Sequence, residues 1–342
     1  MSKFPLEVLQ RHVYPYTVRK EHDPAVILGS TFGEDVAVTQ VGGDLLLSHV
    51  DPIVGAVKGI GWLAVHVACN DIAASGVRPR WIQLLVMVPS PRHVDHVEKI
   101  MSDAARAAAI LGVTIIGGHT GYSAGLLRSL VAVTALAPAE GRRVVTTGGT
   151  KPGDLIYVTR GIGLEGTGIL ASDFAEDAFS RGLVQQDIDD ALKLLESVSV
   201  VPEALKLADL GATAMHDVTR GGVLETLLEI GSCSGVCMDI TASALPIPPV
   251  VKRFADAFDF DPLKMISSGS LAVTLPPECA REAEKSFEKG FCDLKRVGVV
   301  TEGKGVCLRE EDGSVSFFTE MACEEDELAR MWELLAPEGK KE

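Results

Sequence analysis

The chain predicts an α+β protein of two domains. Its 342 residues exceed the roughly 250–300 that one hydrophobic core usually serves. Apolar runs of strand length and helix length are interspersed without the regular strand–helix–strand alternation of a doubly wound sheet. The strongest break, Gly148-Gly149 followed by Lys151-Pro152-Gly153-Asp154, falls near the middle. The expected division is therefore 1–150 and 151–336, with 337–342 a frayed tail.

In order, Asp35 to Thr39 and Asp44 to Val50 read as two strands joined at Gly42-Gly43, a hairpin signal. A helix follows from about residue 57 to Ser75. Trp81 to Val88, bounded by Pro79 and Pro89, predicts a strand; after it Val94, Val97, Met101, Ala104, Ala108 and Leu111 recur along one helix face. Strands at 113–116 and 126–137 close the first half. The second half opens with a strand at 155–159 and a glycine-rich turn. Helices are expected at 190–198, 202–210, 222–230, 278–289 and 323–335, and strands at 236–240, 271–275 and 297–301. No short repeat, coiled coil or low-complexity segment interrupts this pattern.

Composition narrows the functional classes. A net charge of −15 argues against broad binding to nucleic acid or to an anionic membrane. No apolar run approaches the roughly 20 residues of a membrane span. The N-terminus also lacks the apolar stretch of a signal peptide, so the reading is a cytoplasmic protein with reduced cysteines. Seven is an odd cysteine count, and the closest pair, Cys233 and Cys237, has no histidine pair beside it; structural thiols are favoured over zinc.

The richest segment is His216-Asp217-Val218-Thr219-Arg220-Gly221-Gly222-Val223-Leu224-Glu225, which places an acid, a base and two glycines at the start of an apolar helix. Such a turn can hold a phosphate: glycines bring N–H groups close to an anion, the helix dipole favours it, and Arg220 adds fixed positive charge. The plainer alternative is that Asp217 or Thr219 caps the helix. Four further polar positions stand at element ends: Gly33-Glu34-Asp35, Val50-Asp51-Pro52, Asn70-Asp71 and Gly117-Gly118-His119-Thr120. Single carboxylates in such places are usually solvated or capping. Asp71 differs, because it follows Val67 by four residues and Ala64 by seven, so a continuous helix carries it along the apolar stripe, where an unpaired charge is costly. His66 and Asn70 share the adjacent face. That polar strip calls for a ligand, a metal or a neighbouring chain, or else for a histidine and an asparagine hydrogen-bonded within the core.

Together these motifs resemble the aminoimidazole-ribonucleotide-synthetase-like superfamily of ATP-using enzymes. Asp217 to Gly222 is similar to the Asp-Pro-Thr-Arg-Gly-Gly run of the hydrogenase-maturation dehydratases and, more loosely, to the Asp-Val-Ser-Asp-Gly run of thiamine-monophosphate kinases. Gly33 to Val38 resembles the family's Gly-Asp-Asp-Ala-Ala-Val, and Asp51 its next strand-end aspartate. Gly61 to Pro79 looks like the helix that lines the nucleotide site. Gly117 to Thr120 matches a Gly-Gly-Asp-Thr turn with His119 in place of aspartate, as in selenophosphate synthetases.

The resemblance implies a homodimer whose N-terminal domain forms a β-barrel-like interface, with a C-terminal α/β sandwich and a cleft for Mg-ATP. Asp35, Asp51 and Asp71 would hold magnesium or its waters. His66, Asn70, Gly117, Gly118, His119, Thr120, Gly221 and Gly222 would line the nucleotide site, and Asp217 and Arg220 would act from the second domain. Magnesium prefers carboxylate and water oxygens and bridges phosphates, and arginine stabilises a transferring phosphoryl group.

The chain departs from its models at two points. It ends Gly339-Lys340-Lys341-Glu342, without the terminal cysteine of the dehydratases. Its first cysteine, Cys69, lies inside the expected helix rather than in the early glycine-rich segment of selenophosphate synthetases. The common step survives: ATP phosphorylates or activates an amide, carbonyl or hydroxyl oxygen of a small or protein-borne acceptor. A non-catalytic ATP-binding partner protein is the alternative. A remoter one is an NAD-dependent oxidoreductase, because Gly161-Ile162-Gly163-Leu164-Glu165-Gly166 satisfies the dinucleotide fingerprint, although no second strand ending in an acid follows.

Overall fold

The computed structural model describes residues 4, 6–17, 23–53, 58–288, 290–319 and 326–335. The expectations for the 337–342 tail, for the helix start at 57 and for 289 and 323–325 lie outside them.

The first half contains α1 (Leu6–His12), β1 (Val26–Leu28), β2 (Ala37–Val41), β3 (Asp44–Ile53), α2 (Ile60–Ala74), β4 (Trp81–Val88), α3 (Val94–Leu111), β5 (Thr114–Tyr122) and β6 (Leu130–Pro138). Its strands form one sheet in the order β1-β2-β3-β6-β4-β5. All neighbours are antiparallel except β4 and β5, whose parallel pairing is connected through α3. Alternation fixes the faces: Ile82, Leu84, Val86 and Val88 of β4 and Val131, Val133, Ala135 and Ala137 of β6 point inward. They pack against α2, every residue of which is buried. A helix apolar on nearly all sides must be covered on all sides, and α2 touches β3, β6 and α3 on one flank and the second half on the other.

The second half runs β7 (Leu155–Thr159), α4 (Leu164–Asp173), α5 (Ala175–Ser180), α6 (Gln185–Leu194), α7 (Val201–Asp209), β8 (Ala214–Asp217), α8 (Gly222–Ser234), β9 (Cys237–Thr241), α9 (Pro249–Phe258), β10 (Leu271–Leu275), α10 (Pro277–Phe287), β11 (Leu294–Thr301), β12 (Gly305–Arg309), β13 (Val315–Phe318) and α11 (Glu327–Leu335). The sheet order is β13-β12-β9-β11-β7-β10-β8. One face, with Ile156, Val158, Ala272 and Met238, packs on Val223, Leu227 and Ile230 of α8. The other, with Tyr157, Met215, Leu271 and Val273, joins a core continuous with that of the first half. The expected α+β class and α/β sandwich are both present.

The Lys151–Asp154 break is a tied turn: Asp154 Oδ2 accepts hydrogen bonds from Thr150 Oγ1 (3.1 Å), the Lys151 N–H (3.0 Å) and Thr213 Oγ1 (2.7 Å). Three differences from the sequence reading bear on function. The strand expected at 113–116 continues to Tyr122, so Gly117 to Thr120 is strand rather than turn. β1, β8, β12 and β13 are short strands that carried no clear signal. Finally, β7 pairs antiparallel with both β10 and β11, so Gly161 to Gly166 does not follow a strand of a parallel β–α–β unit and the dinucleotide reading falls. No helix among the described residues is long and apolar enough to cross a membrane.

Candidate functional site

A cleft of about 330 Å³ opens between the two halves. From the first half it is lined by Phe32 to Asp35, by His49 and Asp51 to Ile53 at the end of β3, and by Val67 and Asp71 of α2. The second half contributes Glu165 and Ile169 of α4, His216 of β8, Thr219 and Arg220, Glu229 of α8, and Ile266 and Ser268. The two ends of the described chain complete the wall: Leu6 and Leu9 of α1, and Asp326, Leu328, Ala329 and Trp332 at α11.

All three aspartates expected to hold magnesium therefore face one cavity. His49 fixes part of this wall: its Nδ1 contacts the Asp35 carbonyl oxygen and its Nε2 lies 3.2 Å from Asp71 Oδ2. Opposite, His216 is buried among acids. Its Nε2 is 3.2 Å from Asp35 Oδ1 and 3.1 Å from Glu229 Oε2, and its Nδ1 is 2.7 Å from the Asp217 carbonyl oxygen. Both ring nitrogens face acceptors, so both carry protons. Burial opposes that charge most strongly, but Asp35, Glu229 and Asp217 outweigh it and hold the imidazole up at about 10. Asp35, His216 and Asp217 offer ligand atoms within 4.8 Å of one another. The imidazolium already supplies the cation in that corner; Asp35, Asp51 and Asp71, which line the same cleft, offer hard oxygen donors of the kind magnesium prefers.

The glycine turn is built for geometry. Gly221 and Gly222 have φ of 76° and 65°, and a Cβ on Gly222 would stand 2.3 Å from the Leu263 carbonyl oxygen. Gly221 is the N-cap, without a side-chain cap, so neither Asp217 nor Thr219 plays that part. The turn does carry an anion, but it is the chain's own: Asp326 Oδ2 accepts from the Gly221 N–H at 3.0 Å, while the Gly222 N–H donates to the Thr219 carbonyl. The expected phosphate cradle at Gly221 and Gly222 is thus corrected to a docking point for the start of α11. Arg220 remains on the cleft wall. Asp217, fully buried, stands behind His216 rather than on the wall.

Other expected site residues lie elsewhere. Asn70 uses both ends of its amide on backbone: Nδ2 donates to the Val198 carbonyl (2.8 Å) and Oδ1 accepts from the Val200 N–H (2.9 Å). His66 packs on Trp62, ring centroids 4.2 Å apart, and burial with Arg106 nearby lowers it to about 4, so it is neutral. Neither lines the cleft; the hydrogen-bonded core alternative holds for Asn70, whereas both ring nitrogens of His66 are buried without a hydrogen-bond partner among the described residues. Gly117, Gly118, His119 and Thr120 sit on edge strand β5 outside the cleft. There the glycines accommodate a bulge, with pairing shifting from Ile82↔Ile115 to Gln83↔Gly117, and a Cβ on Gly118 would meet the Leu84 carbonyl oxygen at 2.0 Å. Sequence reasoning missed His49, Glu165, Glu229 and Asp326 as site residues. Asp326 carried a usable signal, an acid immediately before a helix; His49 becomes visible only where β3 packs on α2, and Glu165 and Glu229 only where the two halves meet.

The fold and cleft define a two-domain protein with an acid-lined site between its domains. The chain belongs to the AIR synthase related protein family, whose N-terminal domain matches residues 33–138 and whose C-terminal domain matches residues 151–309. It is 28% identical over 262 residues to "Carbamoyl dehydratase HypE" of Rhodobacter capsulatus, covering 73% of this chain and 68% of that one. Among solved structures it resembles the "HypE-HypF complex" (TM-score 0.71, 21% identity, 92% of this chain and 99% of that one). It also resembles "Hydrogenase Maturation Protein HypE in complex with ATP" (TM-score 0.69, 22% identity, 84% and 88%). At these identities the structural matches establish the fold.

Proposed function

We propose that the protein uses Mg-ATP to phosphorylate or activate an amide, carbonyl or hydroxyl oxygen of a small or protein-borne acceptor. The observation that carries this reading is the convergence of Asp35, Asp51 and Asp71 on one wall of the cleft with Arg220 on the other. Asp35, Asp51 and Asp71 would hold magnesium, which when bound screens the phosphate charges. His49 and His216, on the same cleft, keep two of these carboxylates in place. Arg220 supplies charge to the transferring phosphoryl group, and the apolar wall from α1 and α11 excludes water. A relative solved with ATP and relatives named as carbamoyl dehydratases support the nucleotide and the kind of acceptor, and one solved with HypF supports an acceptor carried on a protein.

Homodimerisation belongs to the same proposal. The outer face of the first sheet presents Leu85 and Val50, 38% and 60% exposed, beside Trp81, Met87 and Leu136, an apolar surface that a second copy would cover. Calorimetry of ATP with magnesium and with EDTA tests the nucleotide reading: affinity should fall sharply in EDTA, and equal affinity in both would remove the carboxylate–metal assignment. A screen of small acceptors for stimulated ADP release separates the enzyme from a non-catalytic ATP-binding protein. Sedimentation at micromolar concentration should show a dimer; a strictly monomeric species would remove that part of the proposal.

A further inference from the structure

The second sheet ends differently at its two edges. β8 is buried along all four residues, whereas β13 at the far edge is exposed at Val315, Ser316 and Phe317. The turn that leads into β13 sets its backbone. The Glu310 N–H donates to the Ser314 carbonyl (2.9 Å), the Gly313 N–H donates to the Glu310 carbonyl (3.1 Å), and Gly313 takes φ of 85°. This is a type I turn closed by a glycine bulge, which makes Glu310 and Ser314 a hydrogen-bonded pair. Pairing alternates from there: Leu308↔Ser316 and Val306↔Phe318 exchange hydrogen bonds, while Arg309↔Val315 and Cys307↔Phe317 do not. Val315 and Phe317 therefore aim their own N–H and C=O groups away from β12, at the open edge.

The side chains repeat that offer. Val315 and Phe317 share the sheet face of Cys307 and Arg309 and are 50% and 59% exposed, while Phe318 on the opposite face packs on the domain core. Lysine, proline, a covering helix or a bulge normally blunts such an edge. Val315–Phe318 contains neither lysine nor proline, and it pairs with β12 in unbroken register. Beside its start, Glu310, Glu311 and Asp312 line a concavity of about 450 Å³ with Ala242 and Ser243. Asp312 Oδ1 accepts from the Ser314 N–H (2.8 Å), but no ion pair neutralises the three acids among the described residues. Arg309, the adjacent cation, is committed to Asp239 through two hydrogen bonds of 2.7 Å. The turn and β13 lie beyond residue 309, where the family match ends.

We propose that the β13 edge is a docking site for an extended, basic segment of a partner protein. The segment adds a strand beside Val315–Phe318, sets apolar side chains against Val315 and Phe317, and places lysine or arginine over Glu310, Glu311 and Asp312. Open backbone groups select an extended chain, and the acids select its charge. A second copy of this chain fits poorly, because it would bring its own net charge of −15 to an already acidic edge. β8 carries His216 into the cleft at the opposite edge of the sheet, so a segment docked on β13 leaves the cleft open.

The test uses the full chain and the acetylated, amidated peptide Lys-Val-Thr-Val-Thr-Val-Lys, whose like ends bring a lysine to the turn in either strand direction. The same peptide with glutamate at both ends is the control. In an amide NMR titration the lysine peptide should shift the Val315 and Phe317 N–H signals, and the control should bind at least about tenfold more weakly. Val315→Pro removes an outward N–H where an edge strand tolerates proline, and it should weaken the lysine peptide at least about fivefold. Glu311→Lys, in the exposed turn, should weaken it about threefold and strengthen the control. Absence of binding to the wild type, shifts confined to residues outside the β12–β13 hairpin, equal affinity for the two peptides, or unchanged affinity in either variant would each overturn the proposal. A fall in sedimenting mass for Val315→Pro would assign the edge to a second copy and overturn it as well.

Discussion

Gly117-Gly118-His119-Thr120 and Thr219-Arg220-Gly221-Gly222 have matching ingredients: two glycines, a threonine and a basic residue. One lies on an exposed edge strand and the other at the buried start of α8 beside the cleft. In the first, an extra residue is absorbed as a bulge and the chain stays extended. There Gly117 and Gly118 have φ of 159° and 150°; in the second, Gly221 and Gly222 at 76° and 65° turn the chain from β8 into α8 and leave Arg220 on the wall. Glycine makes both outcomes permissible and chooses neither. What differs is the enclosure: the 219–222 turn is surrounded by Leu263, Glu225 and Asp326, whereas a Cβ on Gly117 would meet nothing within 4 Å and only Gly118 is pressed, against the Leu84 carbonyl of the neighbouring strand.

Substitutions that probe the two regions should therefore diverge. The largest effect is expected at His216, where removing the imidazole leaves Asp35, Asp217 and Glu229 crowded without their shared cation. His216→Ala should cost roughly 3–5 kcal/mol by denaturant unfolding, and a loss below about 1 kcal/mol would mean the acids are satisfied without it. Next, Gly222→Ala combines positive φ with a carbonyl at 2.3 Å and should cost about 2–4 kcal/mol. The matching Gly117→Ala meets open space but an unfavourable φ of 159°, and without the carbonyl clash it should cost less, about 1 kcal/mol. Equal costs would erase the contrast between the two segments.

Smaller effects sharpen it. The Glu165 carboxyl is raised from 4.5 to about 7, so its contribution to stability is fully present below pH 4.5 and lost as pH rises through about 7. Wild type should accordingly lose on the order of 1–3 kcal/mol relative to Glu165→Gln between pH 4.5 and 8; parallel pH profiles would show that the carboxyl titrates normally. Smallest in the absence of ligand is Arg220→Ala, expected to leave the unliganded melting temperature nearly unchanged while shrinking the rise produced by Mg-ATP. His119→Ala should leave that rise intact. If Arg220→Ala lowers the melting temperature equally with and without nucleotide, its role is structural.

Periodicity and composition by themselves determined the α+β class, the break near residue 150, the long helices of the first half and the alternating strands β4 and β6. They also marked Asp71 as a charge carried into apolar surroundings, because 3.6-residue spacing is a local property that holds wherever the helix packs. The same spacing marked His66 and Asn70, and there it did not suffice. Which side of a wholly buried helix meets a cavity, and which meets the backbone at 198–200, depends on what packs against it. Likewise Glu165, Glu229 and His49 are ordinary polar residues in sequence. Packing of α2 on β3 within the first half brings His49 against Asp71, and the meeting of the two domains adds Glu165, His216 and Glu229 to the same cleft and turns these residues into one site.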